Sequence, residues 1–360
     1  MEDPMTWAQA VLLIGTVLIV AFGSSCERER ISVNDDEWEQ VIPELPPPDS
    51  LLRAEDWQPA CSPDGRRVAY SHAVKPGHLD EFGGLGIYVV EIGPEAVSPP
   101  ALVVPVSGVR WLSFAPDSRR ITYMWRGDIW IADVESHEVE QVTTHYLGAH
   151  PSWHPSKELI AYTRVEATSD PADSGSVRII DLATLEDRPI RTLSGRVLYG
   201  GGTQWDRSGE SVIYTRYDRT TRGSEVFRIF PDVSEEIAVT KDGWACSLPK
   251  WTFDGSEIVL SLLTNRSGFP EHHSWWLIDE DGVALHPFYD EATEVQVIGG
   301  NLAVGPGPGQ FVVTQTSALD ERHLALWIIG PSVGAVPRWR QITGLHPVED
   351  WSIPESGVIH

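Results

Sequence analysis

The sequence predicts an all-β fold, a single β-propeller of four-stranded antiparallel blades, and three observations predict it. A ten-residue pattern recurs seven times, the second half of each copy alternates with the period of a strand, and no stretch after residue 50 carries a capped helical period. The copies are CSPDGRRVAY from Cys61, FAPDSRRITY from Phe114, WHPSKELIAY from Trp153, WDRSGESVIY from Trp205, WTFDGSEIVL from Trp251, VGPGPGQFVV from Val304 and WSIPESGVIH from Trp351. Their starts lie 53, 39, 52, 46, 53 and 47 residues apart, a length that suits one blade each.

Each copy reads as strand, tight turn, strand. An aromatic or apolar residue opens it, and seven places later comes Val68, Ile121, Ile160, Val212, Ile258, Phe311 or Val358. Two places further stand Tyr70, Tyr123, Tyr162, Tyr214, Leu260, Val313 and His360, so apolar residues alternate as on a pleated strand. Between the halves, Ser62-Pro63-Asp64-Gly65 puts Pro where a turn fixes φ and Gly where the chain passes through positive φ. A third apolar run follows in six units: Ile87–Glu91, Ile129–Asp133, Val177–Asp181, Val226–Phe230, Trp275–Asp279 and Leu326–Ile329. Four units add a fourth run, at Val139–Thr143, Arg191–Ser194, Ile237–Thr240 and Arg340–Thr343. Four antiparallel strands make a propeller blade.

The copies from Cys61 and Phe114, with Ser-Pro-Asp-Gly or Ala-Pro-Asp-Ser before an alternating strand, resemble the repeat of TolB-like, WD-repeat-like propellers, over roughly residues 57 to 360. In that family the propeller serves as a docking platform, as an appendage to hydrolases, or as an enzyme, so the resemblance does not choose a function. The seventh copy ends at His360 after two strands. The strands Ile31–Asp35 and Trp38–Ile42 resemble Ile129–Asp133 and Val139–Thr143, and a split last blade built from both termini gives the favoured count of seven. The alternative is six blades, with residues 27 to 50 as an acidic, Pro-rich tether and the C-terminal segment as a capping hairpin.

Residues Trp7–Gly23 are almost all apolar and run into Ser24-Ser25-Cys26, which resembles the lipobox of bacterial lipoproteins. The resemblance implies an acylated Cys26 and a domain outside the cytoplasm; an uncleaved signal anchor would place the domain on the same side. The expected organisation is therefore a signal or anchor over 1–26, closing strands or a tether over 27–50, and the propeller over 51–360. A formal net charge of −25 argues against nucleic acid as a partner. Three cysteines without CxxC spacing exclude a disulfide framework, and Cys61 and Cys246, in different repeats, read as free buried thiols.

Candidate chemistry is sparse. Gly330-Pro-Ser332-Val-Gly334 matches GxSxG, but it follows a third blade strand and precedes another strand, whereas a nucleophile elbow needs a strand-to-helix turn. His145, His150 and His154 form the densest histidine cluster. His150 and His154 would lie about 13 Å apart along a strand. The positions aligned with His150 are Gln58, Trp111, Gly202, Leu248, Asn301 and Val348, and none adds an imidazole. Trp153, Trp205, Trp251 and Trp351, at fixed register, read as inter-blade core, whereas Trp275, Trp276 and Trp339 are the aromatics to seek at the surface. No catalytic, metal-ligating or cofactor-binding residue is assigned; Cys26 is the one site residue, for lipidation. These features imply a monomeric, extracytoplasmic, membrane-anchored scaffold that binds an envelope protein through loops on one face and needs no cofactor. The alternative is a metal-dependent polysaccharide lyase or hydrolase using the central channel.

Replacing Cys26 with Ala is expected to abolish labelling by radioactive palmitate and to leave the precursor uncleaved. Unlabelled wild-type protein would instead support the signal anchor.

Overall fold

The protein is described by a computed structural model over residues 52–76, 84–93, 96–106, 108–144, 147–165, 175–218, 223–240, 245–263, 274–280, 282, 285–287, 302–316, 324–333 and 336–343. Cys26, the strands expected at 31–35 and 38–42, and the seventh copy at 351–360 lie outside these residues. Among the described residues no helix is long and apolar enough to cross a membrane.

The described strands form six four-stranded antiparallel blades, each running in chain order from the channel outward. Blade 1 holds β1 (Leu52–Cys61), β2 (Arg67–Pro76), β3 (Gly84–Glu91) and β4 (Ala101–Val104). Blade 2 holds β5 (Arg110–Phe114), β6 (Arg120–Trp125), β7 (Asp128–Asp133) and β8 (Val139–Gln141). Blade 3 holds β9 (Gly148–Trp153), β10 (Leu159–Val165), β11 (Gly175–Asp181) and β12 (Asp187–Pro189). Blade 4 holds β13 (Gly201–Trp205), β14 (Val212–Asp218), β15 (Gly223–Phe230) and β16 (Glu235–Ala238). Blade 5 holds β17 (Ala245–Trp251), β18 (Glu257–Leu263), β19 (Ser274–Asp279) and β20 (Leu285–Pro287). Blade 6 holds β21 (Leu302–Val304), β22 (Phe311–Thr316), β23 (Leu324–Val333) and β24 (Val336–Gln341). Each of the six described ten-residue copies supplies the end of a first strand, the turn and the start of a second.

Polar residues early in the copy fix that turn. In blade 1, Ser62 Oγ donates to Asp64 Oδ1 at 2.6 Å and accepts from the Arg67 N–H at 2.8 Å, while Gly65 takes φ 73°. Thr252, Asp254 and Gly255 repeat the arrangement in blade 5, with Gly255 at φ 75°. These side-chain bonds replace backbone bonds that a tight turn leaves unmade.

Alternation along the second strand then sets the packing. Val68 and Tyr70 face blade 6, and Ala69 between them faces blade 2. The same holds for Val212 and Tyr214 toward blade 3 with Ile213 toward blade 5, and for Phe311 and Val313 toward blade 5 with Val312 toward blade 1. Trp153, Trp205 and Trp251 are buried in these seams, as their register implies. Six apolar clusters result, one per blade interface, and each buried aromatic or branched side chain contributes about 1.5–3 kcal/mol.

Two expectations are corrected. The favoured count of seven blades gives way to six: Val68, Tyr70, Tyr88 and Val90 of blade 1 pack directly on Ala303, Val312, Leu326 and Ile328 of blade 6. The backbones of Glu55 in β1 and Leu324 in β23 also pair across this seam, which leaves no gap for another sheet. In blade 3 the fourth strand is Asp187–Pro189 rather than Arg191–Ser194. Arg178 of β11 holds Asp187 through a partly buried ion pair at 2.9 Å, whereas the Arg191 backbone forms an isolated bridge to Val197 instead of a strand.

Two glycine substitutions test the seam. A Cβ on Gly65 would stand 2.3 Å from the Pro306 carbonyl oxygen of blade 6, whereas one on Gly255 would meet nothing nearer than Arg207 at 3.8 Å. Gly255→Ala is expected to cost about 1 kcal/mol from backbone strain alone. Gly65→Ala adds a backbone clash and is expected to cost about 2–4 kcal/mol in urea denaturation. Equal costs would show that blades 1 and 6 do not meet as described.

Candidate functional site in the central channel

The innermost strands β1, β5, β9, β13 and β17 each slip register against the next strand over a β-bulge. The bulges hold Gln58, Trp111, His150, Gly202 and Leu248 at φ between 51° and 68°. These are the positions that the repeat register aligned with His150; Asn301 and Val348 lie outside the described residues. The bulge residues link neighbouring blades. Gln58 Oε1 accepts from the Trp111 N–H at 2.6 Å, the Trp111 and His150 rings meet at 4.1 Å, and Thr203 Oγ1 donates to the His150 carbonyl at 2.6 Å. Burial first, and the Lys250 ammonium second, push the His150 imidazole down to about 4, so it is neutral at physiological pH.

His154 does a different job. Its Nδ1 accepts the N–H groups of Ser156 at 3.1 Å and Lys157 at 3.0 Å, taking the turn-capping place that Ser62 holds in blade 1, and its ring lies edge-on to Trp205. His145 is outside the described residues. Among those described, no group of three or more His, Cys, Asp and Glu side chains converges as a metal site.

Beyond the bulges the channel opens into a cavity of about 530 Å³, with walls from all six blades, represented by Ala60, Ser113, Ser152, Gln204, Lys250 and Ala303. These six occupy one repeat position, immediately before the residue that opens each copy. In blades 2, 3 and 4 this residue clasps the next blade. Ser113 Oγ accepts the Trp153 N–H at 3.4 Å, Ser152 Oγ the Trp205 N–H at 3.1 Å, and Gln204 Oε1 the Trp251 N–H at 2.8 Å. An edge-strand N–H buried in such a wall would otherwise be unpaired.

Blade 5 breaks the series with Lys250, whose ammonium has no acceptor to offer. It sits near enough to Cys61 of blade 1 and His150 of blade 3 for its charge to act on both, and burial lowers its own pKa. Asp206 is the acidic member of the wall, and its oxygens are already taken by Ser208, Ser211 and Arg228.

Cys61 and Cys246 are free, in separate blades, and desolvation pushes both thiols up to about 12. Cys246 is buried as expected, whereas Cys61 is half-buried on the channel wall. The GxSxG segment lies in the β23–β24 hairpin, with Val333 pairing Val336, so no helix follows Ser332 to form an elbow. Trp275 is not a surface aromatic: it is buried against Leu302 and Phe311, while Trp276 is half-buried and the Trp339 side chain lies outside those described.

Two features were not singled out in the sequence. One is Lys250, visible only as a break in the series Ser113, Ser152, Gln204. The other is an apolar rim on blades 3 and 4, where Leu193 is 81% exposed and Val233 57% exposed. A bond from the Leu193 N–H to the Ser234 carbonyl at 3.2 Å ties the two loops together.

No family model and no curated protein matches this sequence. Solved structures do match. TolB from Acinetobacter baumannii aligns with a TM-score of 0.53 at 15% identity, covering 82% of this chain and 68% of that one. An oligogalacturonate lyase in complex with manganese aligns with a TM-score of 0.52 at 14% identity, covering 81% of this chain and 78% of that one. The oligogalacturonate lyase from Vibrio parahaemolyticus gives 0.50 at 12% identity, covering 81% and 94%. The chain thus has the fold of a TolB-like propeller with six blades, a fold shared by proteins of different activity.

Because the folded protein keeps His150 neutral, protonation of this residue favours unfolding. Its contribution is complete above the unfolded value near 6.5 and is lost as pH falls from there toward about 4, at roughly 1.4 kcal/mol per pH unit. Asn tolerates the same positive φ, so His150→Asn is expected to remove this part of the acid sensitivity without straining the bulge. Parallel stability-versus-pH curves for the two proteins would refute the assignment.

Proposed function

We propose that the protein is an extracytoplasmic, membrane-anchored, monomeric scaffold, tethered through Cys26, whose propeller binds an envelope protein without catalysis. The observation that carries this reading is the rim formed by Leu193 and Val233, with Ile237 of β16 also exposed. Charged groups border it: Arg196 pairs with Glu236 at 3.6 Å, and Asp232 and Glu235 are exposed beside Val233. Apolar side chains held out into water and ringed by charge are the pattern of a docking surface. Inter-blade clasps and six continuous cores give the rim a rigid base, which reduces the ordering cost of binding. The acidic surface directs the choice of partner away from nucleic acid. The likeness to TolB is consistent with this reading but does not carry it, since the fold also hosts a lyase.

The test is capture from envelope extract followed by affinity measurement with the purified partner. Leu193→Asp combined with Val233→Asp is expected to weaken binding at least about tenfold while leaving the thermal midpoint unchanged. Undiminished binding would remove the rim from the interface. Turnover of an acidic polysaccharide by the purified chain, lost in His150→Ala, would replace the scaffold by the channel lyase.

A further inference from the structure

The clasps that join blades 2 to 5 have a chemical side effect on the cavity. Ser113, Ser152 and Gln204 each spend an acceptor on a backbone N–H of the following blade. A hydroxyl that has accepted still carries its proton, and an amide whose oxygen is engaged still carries two N–H groups. Among the described residues no acceptor takes the Ser113 or Ser152 proton or the Gln204 amide protons. All three residues line the cavity.

The blade 5 member of this register, Lys250, is a donor outright, and among the described residues it makes no ion pair and no hydrogen bond. Arg207 adds a second positive charge at the wall, its guanidinium 4.2 Å above the Phe253 ring. The Asp206 carboxylate is already occupied by Ser208, Ser211 and Arg228. Of the remaining wall, Ser62, Thr203 and Thr252 spend their hydroxyl protons on Asp64, the His150 carbonyl and Asp254, His154 caps its own turn, and the other residues, Pro59, Pro116, Pro151, Leu112 and Phe253 among them, are apolar. A cavity of about 530 Å³ is within the range of small-molecule sites.

We infer that this cavity is a binding site for a small organic carboxylate with an apolar body, the carboxylate on Lys250 and the amide and hydroxyl donors of Gln204, Ser113 and Ser152, the body against the prolines and Phe253. Donors without competing acceptors select for negative charge, and a neutral isostere leaves Lys250 unpaired in a desolvated place. Compact and strongly charged, the lysine head sets the preference for an anion, while the apolar wall sets the preference for a body larger than an inorganic ion. The site is separate from the rim on blades 3 and 4 and does not depend on the scaffold reading.

A lysine kept only for structure would stabilise the fold, whereas an unpaired, desolvated ammonium kept for a ligand destabilises it. Lys250→Met, which preserves the apolar length, is therefore expected to raise the thermal midpoint by a few degrees. The binding experiment uses the full chain and fluorine NMR with 4-fluorobenzoate and its neutral isostere 4-fluorobenzamide as probes. 4-Fluorobenzoate is expected to bind saturably in the range below about 10 mM. Binding of 4-fluorobenzamide, and of 4-fluorobenzoate to Lys250→Met, is expected to be weaker by about tenfold or more, whereas Lys250→Arg keeps the preference for the acid. Equal affinity for acid and amide, binding indifferent to Lys250→Met, or no saturable binding of 4-fluorobenzoate would each overturn the inference. A thermal midpoint lowered by Lys250→Met would also overturn the view of Lys250 as a group held at a cost for a ligand.

Discussion

Every blade of this protein buries both faces of its sheet, and the rest of the architecture depends on that constraint. A strand with period-two alternation normally offers one face to a core and one to water. Here Val68 and Tyr70 are buried on one side and Ala69 on the other, and the same three places are apolar or small in all six blades. A sheet of this kind cannot end a stack, because its last face would remain in water. Bending the stack until blade 6 meets blade 1 covers both final faces at once. The cores are therefore not six copies of an internal packing but six shared seams, each drawing residues from both neighbouring blades.

Closure also decides what happens at the edges. The first strand of each blade is an edge strand facing a narrow channel, where unpaired backbone groups are costly and further pairing is unwanted. Bulges at Gln58, Trp111, His150, Gly202 and Leu248 twist those edges, and side chains from the preceding blade take up the free N–H groups of Trp111, Trp153, Trp205 and Trp251. Farther out, Arg67 reaches the Ser118 carbonyl, Arg120 grips Glu158 with both terminal nitrogens, and Arg340 reaches the Gly93 carbonyl across the closing seam. The exposed Arg120–Glu158 pair contributes little by itself, so such contacts set register between blades more than they stabilise the ring.

The repeat was legible because each copy combines a turn with a strand, and both leave local marks: Pro, Asp and Gly at the turn, alternation beyond it. The same register correctly grouped His150 with Gln58, Trp111, Gly202 and Leu248, although nothing in their side chains hints at a shared positive φ. Blade number was not legible in this way. Whether a chain of near-equal units closes at six or seven depends on contact between units at opposite ends, and Val304–Val313 and Trp351–His360 both lack the Asp-Gly turn that marks the better copies. The fourth strands were elusive for a related reason. Five of the six are only three or four residues long, and such strands carry too little alternation to distinguish Asp187–Pro189 from Arg191–Ser194. Trp275 looked free to reach the surface because it lies outside the ten-residue pattern; its place on β19 turns it into the seam with blade 6.

Function is hardest to read where it departs from what the fold requires, and here such a departure is local and specific. Across the six described copies, the position before each is occupied by Ala60, then by the clasps Ser113, Ser152 and Gln204, then by Lys250, then by Ala303. An alanine there forfeits a hydrogen bond and nothing else, whereas an ammonium forfeits the bond and adds the desolvation of a charge. A ring selected for stability alone would favour the alanine. Lys250 also stands alone among the wall residues at this position in bearing charge, inside a protein whose surface is strongly acidic, and its neighbours have used their acceptors to hold the blades together. The device that makes the ring rigid thus leaves its interior with hydrogens to donate and a positive charge at the clasp position. This asymmetry between an acidic exterior and a donating interior belongs to the particular side chains of this chain rather than to the propeller fold, which binding proteins and lyases share.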